Sequence, residues 1–238
     1  MATRSSHLLT VVVVALVALL GAEPGAASAD SLGGVVPRAT TFVVGTTASP
    51  PLVRMADNFT TAGALDGRLP ESRGSARWTQ IRGKWTVRNG YLDPPQLPGA
   101  LVVYPTTDID LTVEMAVSIA GPYHFGPVLR ANATGTSFLV VRMSSTNTLV
   151  AELTVGNTTT TLLSRDATSG WVSPTGTFTF GATLRGSTLE VRLGGAVVLT
   201  RSFVAGELDP LAGQTGAGVW VSSSGNEMID DVRVTTPM

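Results

Sequence analysis

Short runs of alternating apolar and polar residues fill most of the chain. In the segment TDIDLTVEMAV, residues 107–117, the Ile, Leu, Val and Met side chains share one face and the Asp and Glu side chains share the other. This period of two is typical of a half-buried β-strand. The same alternation recurs in GPVLRA, SFLVVRMS, TLVAELTV, TTTLLSR, TFTFGATLR, STLEVRLG, AVVLTRSFV, GAGVWVSS and MIDDVRVT.

Turns such as NATG, SSTN and LRGS separate these segments. Beyond the N-terminal region, no segment repeats apolar residues at helical spacing. About a dozen short strands joined by short turns predict an all-β fold, an antiparallel sandwich or barrel. The alternation also predicts that one face of each sheet packs into a core while the other meets water.

The N-terminal region follows a different pattern. A polar start with Arg4 leads into the apolar run LLTVVVVALVALL and then to the small residues ASA at 27–29. This arrangement predicts a secretory signal peptide over residues 1–29 and a secreted, extracellular chain. The alternative is an uncleaved membrane anchor, but the run is shorter than the ~20 residues that span a bilayer. Residues 30–52 are interpreted as a linker or leader, and residues 53–238 as a single domain.

Composition narrows the possible chemistry. The chain has no cysteine and a formal charge of −1, so neither thiol chemistry nor binding to nucleic acid through net charge is expected. No later segment is long and apolar enough to span a membrane. His124 is the single histidine beyond the predicted signal peptide, which argues against a zinc site. The abundance of Ala, Gly, Val and Thr, with Arg preferred to Lys, suggests a bacterial source.

Two of the four tryptophans lie in RWTQIRGKWTVRNGYL, residues 77–92. Gly83 predicts a hairpin turn between two extended runs. Trp85 shares a face with Val87 and lies opposite two cations, so it is predicted to lie in the core. Trp78 begins the first run and is predicted to be buried as well. The alternative is that the two rings form an exposed platform for a sugar.

The order of these segments resembles a known family. DNFTTAGALDGRLPESRGSARWTQIRGKWTVRNGYL, FGPVLRANATGTSFLVVRM, STLEVRLGGAVVLTRSF and GQTGAGVWVSSSGNEMIDDVRVT are similar to successive segments of concanavalin A-like lectin/glucanase and laminin-G-like domains in their bacterial, secreted versions. The resemblance extends from about residue 57 to residue 235 and implies a jelly-roll β-sandwich. Domains of this family bind carbohydrate, hydrolyse it, or act as structural or adhesive modules, so the fold alone selects no function.

Candidate sugar-binding residues are aromatic and polar side chains near Gly- and Pro-bounded loops. A pyranose ring stacks on exposed aromatic rings, and its hydroxyls need polar partners. Trp171 lies in the loop TSGWVSPTG, and Tyr123 and His124 lie in AGPYHFGP. Arg130 and Arg142 occupy matching positions near the ends of neighbouring strands, so both are predicted to line one concave sheet face. The alternative is that these side chains cover the edges of the sandwich.

Three carboxylates mark one predicted strand as the candidate for glycoside hydrolysis, which needs two carboxylates about 5–9.5 Å apart. Asp108, Asp110 and Glu114 fall on one face of the strand predicted at 107–117, with successive spacings of roughly 7 and 13 Å. Hydrolases of the resembling family carry a tighter Glu-x-Asp-x-(x)-Glu strand, which this chain lacks. The three residues are therefore minority candidates for catalysis, and solvent-facing strand positions explain them as well.

A run of cations surrounds the tryptophan hairpin. Its members, with only Glu71 among them, are Arg68, Arg73, Arg77, Arg82, Lys84 and Arg88. If their side chains point to one surface, they would bind an anionic polymer such as a teichoic or uronic polysaccharide. Alternating strand positions more often form a solvated face.

The two ends of the domain carry a candidate metal site. Alternate residues of a strand share one face, so Asp230 is predicted to point into the core together with Val232 and Val234. In the resembling family the first and last strands lie together, which would bring Asp57 near Asp230. Two carboxylates and backbone carbonyls suit a structural calcium ion. The alternative is a structural carboxylate that accepts hydrogen bonds.

These features together predict a secreted, non-catalytic protein that recognises extracellular or cell-wall carbohydrate. A glycan-acting hydrolase of the same fold stays open as one alternative. A structural or adhesive surface protein with a protein partner is the other. Neither nucleic acid nor, after signal cleavage, a membrane is an expected partner.

Overall fold

The computed structural model describes residues 50–119, 124–144, 148–166, 176–222 and 227–237. This part of the chain forms sixteen β-strands in two antiparallel sheets. No helix in it is long and apolar enough to cross a membrane. The predicted signal peptide and most of the predicted leader lie outside the described residues.

In chain order the strands are β1 Val53–Asp57, β2 Gly63–Ala64, β3 Thr79–Arg82, β4 Thr86–Arg88, β5 Tyr91–Asp93, β6 Ala100–Tyr104, β7 Leu111–Ile119, β8 His124–Ala131, β9 Ser137–Ser144, β10 Thr148–Val155, β11 Thr158–Asp166, β12 Gly176–Arg185, β13 Thr188–Leu193, β14 Ala196–Ser202, β15 Gly216–Val221 and β16 Glu227–Thr235. A short 3-10 helix, Asp209–Leu211, precedes β15. The nine-stranded sheet has the order β14-β13-β12-β7-β16-β5-β4-β2, with β1 paired to β16. The seven-stranded sheet has the order β11-β10-β9-β8-β15-β6-β3. The predicted antiparallel β-sandwich is confirmed.

Apolar side chains from both sheets form one core between them. Strand β7 alternates between buried and half-buried positions along most of its length, which is the pattern that a period of two predicts. Trp78 and Trp85 are 1% and 0% exposed and belong to this core. The prediction that both rings lie in the core is therefore confirmed. The predicted hairpin is wrong, because β3 pairs with β6 in the seven-stranded sheet and β4 pairs with β5 in the nine-stranded sheet, so the turn at Gly83 connects the two sheets.

A second apolar cluster lies on the outer face of the seven-stranded sheet. Its buried members are Leu101, Val103, Val128, Ala131, Phe138 and Val140, with Ile81 and Trp220 packed against them. Because these residues alternate with core residues, strand β6 is buried at every position along its length. The expectation that outward faces meet water is therefore wrong for the centre of this sheet.

A β-bulge in β16 changes which carboxylate faces inward. The register of β16 with β7 shifts between Ile229 and Val232. Those two residues are buried, whereas Asp230 is half-buried and Asp231 is exposed. The expected inward orientation of Asp230 is wrong, because a bulge adds one residue and resets the alternation.

Candidate functional site

A groove of about 520 Å³ opens on the outer face of the seven-stranded sheet. The more buried residues along it are apolar and include the rings of Phe138 and Trp220, whereas the exposed ones are mostly polar. The described residues that line it are Ile81, Arg82, Pro98, Gly99, Leu101, Thr134, Gly135, Thr136, Phe138, Thr154, Gly156, Asn157, Thr159 and Trp220. The groove therefore combines an apolar, aromatic floor with a polar rim.

Strand alternation places Trp220 in this groove. In β15, Val219 and Val221 are fully buried in the core, so Trp220 between them points to the outer face. It lies in register with Leu101 on β6 and with Gly126 on β8. A β-carbon on Gly126 would lie 1.8 Å from the carbonyl oxygen of Val141, so only glycine fits there; the indole ring of Trp220 is half-buried.

The β8–β9 turn forms one wall of the groove. The Oδ1 atom of Asn132 accepts hydrogen bonds from the backbone N–H groups of Thr136 (2.8 Å) and Ser137 (3.2 Å). Gly135 has a φ of +62°, and a β-carbon there would lie 2.3 Å from the Cγ2 atom of Ile81. The turn backbone therefore rests directly on the apolar floor, which explains why outward-facing side chains are buried beneath it.

The β10–β11 hairpin turn adds a second, polar wall. The N–H group of Gly156 donates a hydrogen bond of 2.6 Å to the carbonyl of Thr136, which joins the two turns. The hydroxyls of Thr154 and Thr159 lie 3.1 Å apart across the hairpin. Asn157 is exposed at its tip. Hydroxyl and amide groups are thus concentrated on this side of the groove.

Arg142 lies on the same outer face, in an ion pair with Glu152. Its Nε and Nη2 atoms donate hydrogen bonds of 2.7 and 2.6 Å to the two carboxylate oxygens. The hydrogen bond to Glu152 raises the pKa of Arg142; burial opposes this shift, and the negative charge of Glu152 adds to it. The guanidinium of Arg142 thus already has a carboxylate partner. Its predicted contact with a ligand stays a prediction.

Arg130 has different surroundings. Its backbone φ is +49°, and its guanidinium donates hydrogen bonds to the carbonyls of Ile109 (3.1 Å) and Gly186 (2.8 Å). It also pairs with Asp110 at 3.1 Å. The structure therefore does not bring Arg130 and Arg142 together on one sheet face, because these contacts tie Arg130 to loops outside the seven-stranded sheet.

The acidic residues predicted on one strand are separated. Strand β7 begins at Leu111, so Asp108 and Asp110 lie before it and not on it, and that part of the prediction is wrong. Asp108 forms an ion pair with Arg54, with an Oδ2–Nε distance of 2.6 Å. Asp110 accepts a 2.9 Å hydrogen bond from the N–H group of Gly186, in addition to its contact with Arg130. These partners hold the two aspartates in the bend before the strand.

Glu114 lies on the opposite side of the sandwich, in a second groove of about 740 Å³ on the outer face of the nine-stranded sheet. The described residues that line this groove are Pro51, Thr112, Glu114, Thr183, Arg185, Thr188, Glu190, Arg192, Arg233, Thr235, Thr236 and Pro237. None of these is aromatic. Arg192 and Glu190 form an ion pair at 2.7 Å. This second groove is a polar surface in which opposite charges are mixed.

Three predicted ligand residues lie near or beyond the limits of the described structure. His124 begins β8, is half-buried, and lies in register with Ser144 of β9. Tyr123 and Trp171 fall outside the described residues. Their roles in binding stay predictions.

Asp57 is a buried acceptor at the end of β1, 2% exposed. Its Oδ2 atom accepts a 2.8 Å hydrogen bond from the indole N–H of Trp78, and its Oδ1 atom accepts one of 3.1 Å from the N–H of Phe59. Asp57 lies in register with Val232, so the expected pairing of the first and last strands is confirmed. Among the described residues, no group of three or more metal-ligating side chains occurs. Calcium binding by Asp57 and Asp230 stays a prediction.

The sequence matches no protein-family model and no curated protein. Among solved structures, β-agarase A in complex with oligoagarose aligns with a TM-score of 0.54 at 12% identity, over 79% of this chain and 93% of that chain. The structure of β-agarase A from Zobellia galactanivorans gives a TM-score of 0.52, with the same identity and coverage. Carbohydrate-binding module CBM66 from Bacillus subtilis aligns with a TM-score of 0.50 at 10% identity, over 67% and 91% of the two chains. At such identities the likeness shows the fold, a concanavalin A-like jelly roll. The predicted fold class and resemblance are confirmed at that level.

Several groove residues were not among the predicted ligand contacts, Trp220 above all. A signal for it was present in the sequence. In GAGVWVSS the two valines that flank Trp220 share one face, so the tryptophan must lie on the other. The wall residues Gly135 and Asn157 gave no such signal, because their place depends on contacts between turns that are distant in sequence.

Proposed function

We propose that this protein binds an extracellular carbohydrate, without hydrolysing it, in the groove on the outer face of the seven-stranded sheet. The observation that carries the proposal is the half-buried indole of Trp220 on an apolar floor, with hydroxyl and amide side chains along the rim. A pyranose has an apolar face of C–H groups and an equatorial belt of hydroxyls. The first suits an aromatic ring and the second suits the polar rim.

The structural neighbours support a glycan as ligand. One is named as a carbohydrate-binding module, and another was solved with oligoagarose bound. The fold is thus one on which proteins hold sugar chains. The predicted signal peptide supports an extracellular ligand, of which cell-wall polysaccharide is one class.

The charges of the groove support binding over hydrolysis. The two-carboxylate mechanism needs a pair of Asp or Glu side chains across the scissile bond. The described lining residues include neither Asp nor Glu. Asp108, Asp110 and Glu114 lie elsewhere, the first two in ion pairs and the third in the second groove.

Substitution of the indole tests the proposal. In a panel of neutral and acidic polysaccharides, we expect Trp220→Ala to weaken binding of the ligand about tenfold or more, because stacking and apolar burial are both lost. Asn157→Ala, at an exposed hairpin tip, is expected to weaken binding with no change in thermal stability. Thr183→Ala, in the second groove, is the matched control and should bind like the unaltered protein. Isothermal titration calorimetry, with thermal unfolding of each variant, provides the measurement.

Three outcomes would contradict the proposal. Absence of binding to every polysaccharide would remove the carbohydrate ligand and favour a structural or adhesive role. Release of soluble sugar from any polysaccharide would favour a hydrolase. Loss of binding in Trp171→Ala but not in Trp220→Ala would move the site to the loop predicted from the sequence.

A further inference from the structure

We propose that the glycan in this groove carries acidic groups, and that the guanidinium of Arg82 and the indole N–H of Trp220 together bind one of them in the space above Gly99. This inference rests on the proposed carbohydrate-binding function and specifies its ligand class. The acidic group is a carboxylate or a sulfate or phosphate ester on the sugar.

The charge of the groove is the first observation. Arg82 is exposed and is the single charged side chain among the described lining residues. Of the same cationic run, Arg68 pairs with Glu71 and Arg88 lies 3.7 Å from Asp93, whereas Arg73, Arg77 and Lys84 do not line the groove. Within the described structure the guanidinium of Arg82 has no ion pair. The groove therefore presents one unneutralised positive charge.

Two donors meet at Gly99, which is the second observation. A β-carbon on Gly99 would lie 3.0 Å from the Nη1 atom of Arg82 and 3.5 Å from the Nε1 atom of Trp220. Any side chain larger than that of glycine would therefore occupy the space between the two N–H groups. Among the described residues neither group has a hydrogen-bond acceptor. We call this space, bounded by Arg82, Gly99 and Trp220, the Gly99 notch.

Donor chemistry selects the ligand. A guanidinium and an indole N–H donate hydrogen bonds and accept none. A carboxylate or sulfate offers several acceptor oxygens and a negative charge, and its hydrogen bonds to Arg are charge-assisted. A neutral hydroxyl offers neither the charge nor more than one oxygen. The notch therefore favours an acidic sugar while the ring of Trp220 remains available to the neutral face of the same residue.

Matched pairs of polymers test the charge. We expect polygalacturonate to bind more tightly than the same polymer with its carboxylates methyl-esterified, and dextran sulfate to bind more tightly than dextran. The stronger of the two acidic polymers identifies the preferred anion. Arg82→Gln should weaken binding of that polymer about tenfold or more, because a hydrogen bond to a charged group is lost. Arg73→Gln, which removes a cation outside the groove, should not.

Filling the notch tests the geometry. Gly99 and Gly67 have nearly equal φ values, +69° and +71°, but a β-carbon on Gly67 would contact nothing within 4 Å. Both alanine variants therefore carry the same backbone strain, and only Gly99→Ala occupies the notch. We expect Gly99→Ala to weaken acidic-polymer binding and Gly67→Ala to leave it unchanged, with thermal unfolding confirming that the two variants are folded.

The possible results separate this inference from the function on which it rests. One possible result is that the neutral and acidic polymers of each pair bind equally, that Arg82→Gln binds like the unaltered protein, and that Trp220→Ala binds more weakly. This result would overturn the proposal of an acidic ligand and support the proposed carbohydrate site. Equal weakening by Arg82→Gln and Arg73→Gln would overturn the notch in favour of diffuse charge attraction. Absence of binding to all four polymers and to the wider panel would overturn both proposals.

Discussion

At the scale of single residues, two buried or partly buried carboxylates organise the corner where the chain leaves β1. Asp57 accepts hydrogen bonds from the indole of Trp78 and from backbone N–H groups. Glu71 accepts hydrogen bonds from the N–H of Thr60 (2.6 Å) and the N–H of Thr61 (2.7 Å), and it pairs with Arg68. The segment that follows β1 is thus fixed by hydrogen bonds to two carboxylates.

Glu71 makes stability depend on pH. Burial alone would raise the pKa of Glu71, but hydrogen bonds from Thr60 and Thr61 lower it to about 2, against its usual 4.5. Because the folded-state pKa lies below the unfolded value, this stabilisation is present above about pH 4.5 and is lost as the pH falls towards 2. We expect Glu71→Gln to lower the Tm at pH 7 and to match the unaltered protein near pH 2. Asp209→Asn controls for the loss of one negative charge, and an equal effect of both variants at pH 7 would contradict the prediction.

Asp231 should have the opposite effect. Asp231 is exposed as a residue, but partial burial of its carboxyl raises its pKa, and the negative charges of Asp230 and Asp57 raise it further. A carboxyl whose pKa is raised on folding destabilises the protein once the pH exceeds its unfolded value of about 4. We expect Asp231→Asn to raise the Tm at pH 7 and to have no effect near pH 3. Calorimetric scans at the two pH values provide the measurement, and a lower Tm at pH 7 would show that the carboxylate has a stabilising partner.

At the scale of elements, two hairpin turns build the groove. The β8–β9 turn is held by Asn132, and the β10–β11 turn is joined to it by the hydrogen bond between Gly156 and Thr136. The floor beneath them belongs to strands whose other face is core. Substitutions in the turns therefore change the walls, whereas substitutions in the floor also change the stability of the sandwich.

The β8–β9 turn depends on a glycine. A β-carbon on Gly135 would lie 2.3 Å from Ile81 and 2.9 Å from Leu101, and the positive φ adds strain. We expect Gly135→Ala to lower the free energy of unfolding by about 2 kcal/mol, because the turn must lift from the floor. Gly156→Ala has almost the same φ, +61°, with no atom within 4 Å of the added carbon, and should cost less. Chemical denaturation measures both; an equal cost would mean that strain alone, and not packing on Ile81, is responsible.

At the scale of the whole molecule, alternation in the sequence predicts the strands, the all-β class and the buried Trp78 and Trp85, because side-chain direction in a strand is a local property. It fails where tertiary contacts intervene. The bulge between Ile229 and Val232 turns Asp230 away from the core, and the contacts of Asp110 keep it out of β7. The alternation of side chains along a strand would also have predicted the outward orientation of Trp220. It could not have predicted the Gly99 notch, because the notch joins three segments that are distant in sequence.

The two outer faces of the sandwich have different chemistry. Among the described lining residues, the groove on the seven-stranded sheet has an aromatic floor and one cation without an ion pair, whereas the groove on the nine-stranded sheet has both arginines and glutamates. A ligand with an apolar ring face and a negative charge is matched by the first and not by the second. This asymmetry makes Thr183, on the second face, a suitable control for Trp220, on the first.

The joined turns have an evolutionary consequence. Their side chains contribute to the groove, but the hydrogen bond that connects them, from Gly156 to Thr136, uses backbone atoms only. Mutation can therefore replace the exposed threonines and Asn157 one at a time while the connection persists. Descendants of such a protein are free to acquire new ligand preferences on an unchanged scaffold, so that the wall residues should diverge faster than Trp220 and the core beneath it.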